Sequence, residues 1–216
     1  MRIATVLLVL LPTSLASAQD AFETKLVVTQ EGRETGREEF TLRDGRGRGT
    51  PGSTLIAVAR YPATNPLLKV AASLERTPEF ALAKFQLDVE GPSGTTVILA
   101  AGSGARLIVR TVAKGSEAGR ELPGGPDVVL LDESVYSLYT AVAELATPAG
   151  KTLTGVFPRT SRRVSFVARR DGGAGSGAVR VTLSGDLSGT LATDSKGRLQ
   201  RLEFPGSGIL VTRAQD

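Results

Sequence analysis

Two groups of residues in this chain have the types and spacing that chemistry needs. Asp88 and Glu90 stand two apart. On a strand that spacing puts both carboxylates on one face, where paired carboxylates can do general acid and base work, as in glycosidases. Arg159, Arg162, Arg163, Arg169 and Arg170 fall within twelve residues. Such a tract can grip anionic lipid headgroups or envelope polysaccharide. What the chain lacks narrows the field further, for it contains no histidine and no cysteine. Ser-His-Asp, Cys-His and His-metal chemistries are closed to it, as are disulfides and zinc ribbons.

Each group also has a plainer reading. Glycosidases line their clefts with aromatics, and this chain has no tryptophan and three tyrosines. Asp88 and Glu90 therefore read as a solvated strand face. In the arginine tract, alternation sends Arg162 and Arg163 to opposite faces, and Arg169 and Arg170 run into a turn. Arg159, Arg162 and Arg163 remain as anion-binding candidates. Asp127, Asp132 and Glu133 lack the Asp-x-Asp-x-Asp-Gly spacing of a calcium loop, so no metal site is expected. Gly102-Ser103-Gly104 and Gly172 to Gly177 are followed by strands, and no Gly-Lys-Ser/Thr occurs. Both read as turns, and no cofactor is expected.

The elements that position these residues follow a period of two. In residues 81 to 90, Ala81, Ala83, Phe85, Leu87 and Val89 face one way and Lys84, Gln86, Asp88 and Glu90 the other. Strands are expected near 22–30, 35–43, 53–60, 67–76, 80–90, 95–101, 106–114, 151–158, 162–170, 178–185, 187–193, 199–204 and 208–213. Short turns such as Asp194-Ser195-Lys196-Gly197 separate them, which makes sequence neighbours antiparallel partners. Asp44 to Gly52 and Asp171 to Gly177 read as glycine-rich loops. One segment departs from the rhythm. Asp132 is expected to cap a helix through Thr147, ended by Pro148 and Gly150. Its apolar stripe is Val135, Leu138, Tyr139, Val142, Leu145 and Ala146, with Glu133 in the first turn.

The fold class expected is all-β with one helix: a large curled antiparallel sheet, a half-barrel or open barrel, with the helix covering one face or end. The layout resembles the bacterial envelope β-proteins that include the lipoprotein-localisation carriers. The residues that carry this are the opening hairpin Glu31-Gly32-Arg33-Glu34-Thr35-Gly36-Arg37-Glu38-Glu39-Phe40, the closing Asp194-Ser195-Lys196-Gly197-Arg198-Leu199 with Pro205 and Arg213, and the helix before strand 151–158. The resemblance implies a half-open barrel with helical cover over its mouth.

Composition sets the setting. Arg2, the apolar run Ile3 to Leu11 and Ala16-Ser17-Ala18 make a secretory signal pattern with cleavage expected after Ala18. Residues 19–216 then form a single β-rich domain in the periplasm or outside the cell. Net charge falls from +4 to +3 with the loss of Arg2. The 22 acidic residues mixed among the basic ones do not make a nucleic-acid footprint. Ten aromatics cannot build the two girdles of an outer-membrane barrel, so the cleaved chain is not expected to be an integral membrane protein. A curled sheet of many strands encloses more volume than its Ala, Val and Leu side chains fill. The expected function is therefore non-catalytic binding of an apolar or amphipathic ligand, a lipid or acyl chain. Its expected lining is Phe40, Leu42, Phe85, Leu87, Phe157, Phe166 and Leu183, with Tyr136 and Tyr139 at the rim. The alternative is an envelope scaffold module that docks a protein partner without a small ligand.

Overall fold

The computed structural model describes residues 23–171 and 178–214. The signal pattern of residues 1–18 and the glycine run 172–177 lie outside the described residues. Among the described residues, fifteen strands form one sheet. The first eight are β1 (Thr24–Gln30), β2 (Arg33–Asp44), β3 (Ser53–Tyr61), β4 (Leu68–Arg76), β5 (Leu82–Gly91), β6 (Gly94–Ser103), β7 (Arg106–Ala113) and β8 (Ser116–Pro123). After β9 (Val128–Leu130) come a 3-10 turn (Tyr136–Tyr139) and the helix α1 (Thr140–Leu145). The chain closes with β10 (Lys151–Phe157), β11 (Arg162–Asp171), β12 (Val179–Gly185), β13 (Gly189–Thr193), β14 (Leu199–Phe204) and β15 (Ile209–Arg213).

The spatial order runs β8 to β1, then β15 down to β9. The chain thus starts in the middle of the sheet, walks out to one edge by hairpins, crosses, and walks back from the other edge. Every pairing is antiparallel except β9 with β10. The crossing dictates the curl. A flat sheet of this many strands would be roughly 65 Å wide. Its two edges, β8 and β9, are joined by Gly124 to Asp127 alone, a link that reaches at most roughly 18 Å. The sheet must roll up to bring its edges that close. The two edges do not pair, and β9 instead packs against β5. Arg120 of β8 reaches the β10–β11 loop, donating to Ser161 Oγ and, at 2.6 Å, to the Pro158 carbonyl. The result is an open roll.

Alternation fills the inside. Leu26 and Val28 of β1, Val70, Ala72 and Leu74 of β4, Phe85 and Leu87 of β5, and Val164, Phe166 and Ala168 of β11 belong to one buried cluster. Small inward residues such as Ala57, Ala59, Ala72 and Ala168 leave room for the helical segment. That segment is shorter than its apolar stripe suggests. The 3-10 turn begins at Tyr136, α1 ends at Leu145, and Ala146 is already extended. Asp132 does not cap it, because its Oδ1 accepts the N–H of Ser134 in a local turn at 2.8 Å and pairs with Arg159. Every residue from Ser134 to Ala146 is buried except the half-buried Glu144. A helix apolar all round belongs in a core. It covers the concave face of the roll as a plug, held by β2 to β4 and β11 to β14. Two strands escape sequence reading: β8, exposed along nearly its whole length and so without alternation, and the three-residue β9.

Candidate functional site

An open cleft of about 560 Å³ lies where this plug meets the loops at one end of the roll. That volume falls within the usual range for small-molecule sites. Its floor is aromatic. Tyr136 and Tyr139, neighbours on the 3-10 turn, stack with ring centres 6.5 Å apart. Tyr139 meets Phe204, at the end of β14, edge to face at 5.4 Å. Leu187 from the β12–β13 loop and Ile209 at the start of β15 add aliphatic surface. At the rim, Arg162 begins β11 directly opposite Phe157, the last residue of β10. The guanidinium lies 4.0 Å over the Phe157 ring and pairs with Glu133 at 3.2 Å. Asp186, Ser188 and Ser207 complete a polar border. Burial, reinforced by nearby negative charge, pushes the Tyr136 hydroxyl well above its ordinary range. Tyr139 is raised by burial as well, so both present neutral hydroxyls.

Beneath the floor sits a polar clamp. Glu38, inward on β2, accepts the backbone N–H of Tyr136 at 2.7 Å and of Ser137 at 3.0 Å. Tyr61 of β3 donates its hydroxyl to the Ser134 carbonyl at 2.9 Å. Arg159 ties Asp132 and Ser134 Oγ, both at 3.0 Å. The far end of the plug is held by cations, which suit the carbonyl end of a helix. Arg76 donates to the Ala141 carbonyl at 3.3 Å and pairs with Glu144. Arg170 donates to the Ala143 carbonyl at 3.3 Å. Desolvation pushes the Glu38 carboxyl up to about 7 against the donors from Ser137 and Tyr136. Desolvation also raises Asp132, opposed by Arg159, and lowers Arg76 to about 10.

The residues singled out by sequence divide by location. Tyr136, Tyr139, Phe157 and Arg162 meet at the cleft. Phe40, Phe85, Leu87, Phe166 and Leu183 are wholly buried and Leu42 packs against them. These six do not line the cleft, because the plug occupies the space they surround. Arg159 is spent on Asp132 and Ser134, and Arg163 lies exposed on the outer face of β11. Arg169 pairs with Asp171 at 3.8 Å. Asp88 and Glu90 stand on the outer face of β5, bonded to Gln86 and Lys69 respectively. Sequence reasoning passed over Glu38 and Arg76, although alternation from Phe40 and from Leu74 points both inward. It also passed over Leu187, Phe204 and Ile209, which come together only through the sheet order.

No family model and no curated protein matches the chain. Among solved structures it is similar to a DUF1089 family protein from Pseudomonas aeruginosa, at 14% identity and a TM-score of 0.53 over 80% of this chain and 90% of that one. It is also similar to a beta-barrel-like protein of domain of unknown function DUF1849 from Brucella abortus, at 10% identity and a TM-score of 0.50 over 88% and 93% of the two chains. These likenesses establish a curled, barrel-like β-fold.

Proposed function

We propose that this protein is a non-catalytic binding protein for an amphipathic ligand, a lipid or acyl chain, held in the cleft at the end of the roll. The observation that carries the reading is the aromatic floor of Tyr136, Tyr139 and Phe204 beneath a wet rim. Tyrosine and phenylalanine faces with aliphatic neighbours take an apolar chain, and a few placed polar groups orient its head. Arg162, half-exposed and held by an equally exposed carboxylate, is free to exchange Glu133 for an anionic headgroup at little cost. The export pattern of residues 1–18 fits a carrier or sensor of envelope lipids.

Titration with a fluorescent fatty acid tests the reading. Saturable binding is expected, weakened roughly tenfold or more by Leu187→Asp, which places a charge on the apolar wall. Arg162→Gln is expected to erase any preference for the fatty acid over the matching fatty alcohol. No saturable binding, or binding indifferent to Leu187→Asp, overturns the proposal.

A further inference from the structure

Glu38 is the one group of the clamp whose charge has no cation to answer it among the described residues. It is 0% exposed. Across β1 it faces Leu26 and across β3 Ala59. The charged neighbours Lys25, Arg37, Glu39 and Arg60 alternate to the outer face of the sheet. From the plug and the segment before it, it meets Tyr136, the Ser137 hydroxyl and Asp132, and from β3 Tyr61. Asp132 repels it, and Arg159 gives its Nη2 to Asp132 and Ser134. Its stabilising contacts all come from the 3-10 turn: the backbone N–H groups of Tyr136 and Ser137, with the Ser137 hydroxyl beside them.

Those contacts depend on ionisation. A carboxylate offers an acceptor to each N–H. A carboxylic acid turns one oxygen into a donor, which then faces a donor. The protonated oxygen is the poorer acceptor, so one of the two bonds weakens when the proton arrives. The turn that holds this bond is the turn that carries Tyr136 and Tyr139 into the cleft. We propose that Glu38 is a positioning residue whose ionised carboxylate pins the cleft floor, and that its protonation loosens the floor and weakens hold on the ligand. The second half rests on the binding reading above; the pinning stands without it. Burial brings the carboxyl to about 7, so both forms are accessible near neutrality.

Two measurements on the full chain decide it. The first follows the amides of Tyr136 and Ser137 and the side-chain carboxyl carbon of Glu38 by NMR between about pH 5 and pH 9. All three are expected to titrate with one shared midpoint, and Glu38→Gln is expected to abolish the amide steps. Amides that do not move with the Glu38 carboxyl overturn the pinning; this comparison within the wild-type chain decides even if the variant fails to fold. The second measures affinity for a fluorescent monoacylglycerol, which has no titrating group of its own. Affinity is expected to fall roughly fivefold or more below the midpoint, and Glu38→Gln to show the low-pH affinity throughout. Pinned amides with pH-independent affinity overturn the link to the ligand. Absence of binding at every pH counts against the cleft's function and leaves the amide result to judge Glu38.

Discussion

At the scale of single residues, Glu38 makes a stability prediction with a definite sign. Its carboxyl stands near 7 in the folded chain against an ordinary value of 4.5. Below about 4.5 the group is protonated folded or unfolded and adds no pH dependence to stability. As pH rises towards 7 the unfolded chain loses the proton first, so folding is progressively disfavoured, by roughly 3 kcal/mol in total. Glu38→Gln lacks this dependence. Urea unfolding of both proteins should show the variant gaining on the wild type between pH 4.5 and 7, and a pH-independent difference would contradict the burial cost. Gly36 gives a steric counterpart two residues earlier on the inner face. A Cβ there would lie against the Tyr61 ring and 2.7 Å from the Arg60 carbonyl. Gly36→Ala should therefore displace Tyr61 from Ser134 and cost roughly 1–3 kcal/mol in the same assay; a variant as stable as the wild type would show that the contact has room to give.

At the scale of elements, the plug depends on what holds its ends. A ten-residue stretch with a 3-10 start has little helical stability of its own. Arg76→Ala removes the donor to the Ala141 carbonyl and the partner of Glu144. It should lower stability by roughly 1–3 kcal/mol, read as a lower thermal midpoint with the sheet's circular dichroism unchanged. An unchanged midpoint would mean that Arg170 alone suffices at that end. Most strands were legible because a wall dry on one side writes its period into the sequence, as Phe85 and Leu87 do against Gln86 and Asp88. β8 was not, because an edge exposed on both faces writes no period. The apolar stripe overstates the helix because it continues to Ala146, which is already extended. Half of the site was legible for a related reason. Tyr136, Tyr139 and Phe157 stand out as aromatics in a chain poor in them. Leu187, Phe204 and Ile209 join them only because β12 to β15 fold back over the plug.

At the scale of the whole molecule, the short link from β8 to β9 makes the roll obligatory, and the plug fills its middle. The cleft therefore lies at the end of the roll and not at its centre, with an aromatic floor and a polar border. Among the described residues no helix is long and apolar enough to cross a membrane. The cleft between the 3-10 turn and the closing loops is proposed to hold an amphipathic ligand, and NMR mapping of the full chain with dodecanoate shows whether it does. Shifts are predicted to saturate and to centre on Tyr136, Tyr139, Phe157, Arg162, Leu187, Phe204 and Ile209. A spectrum that stays still, or shifts gathered on the outer face around Arg163 and Arg169, would contradict it.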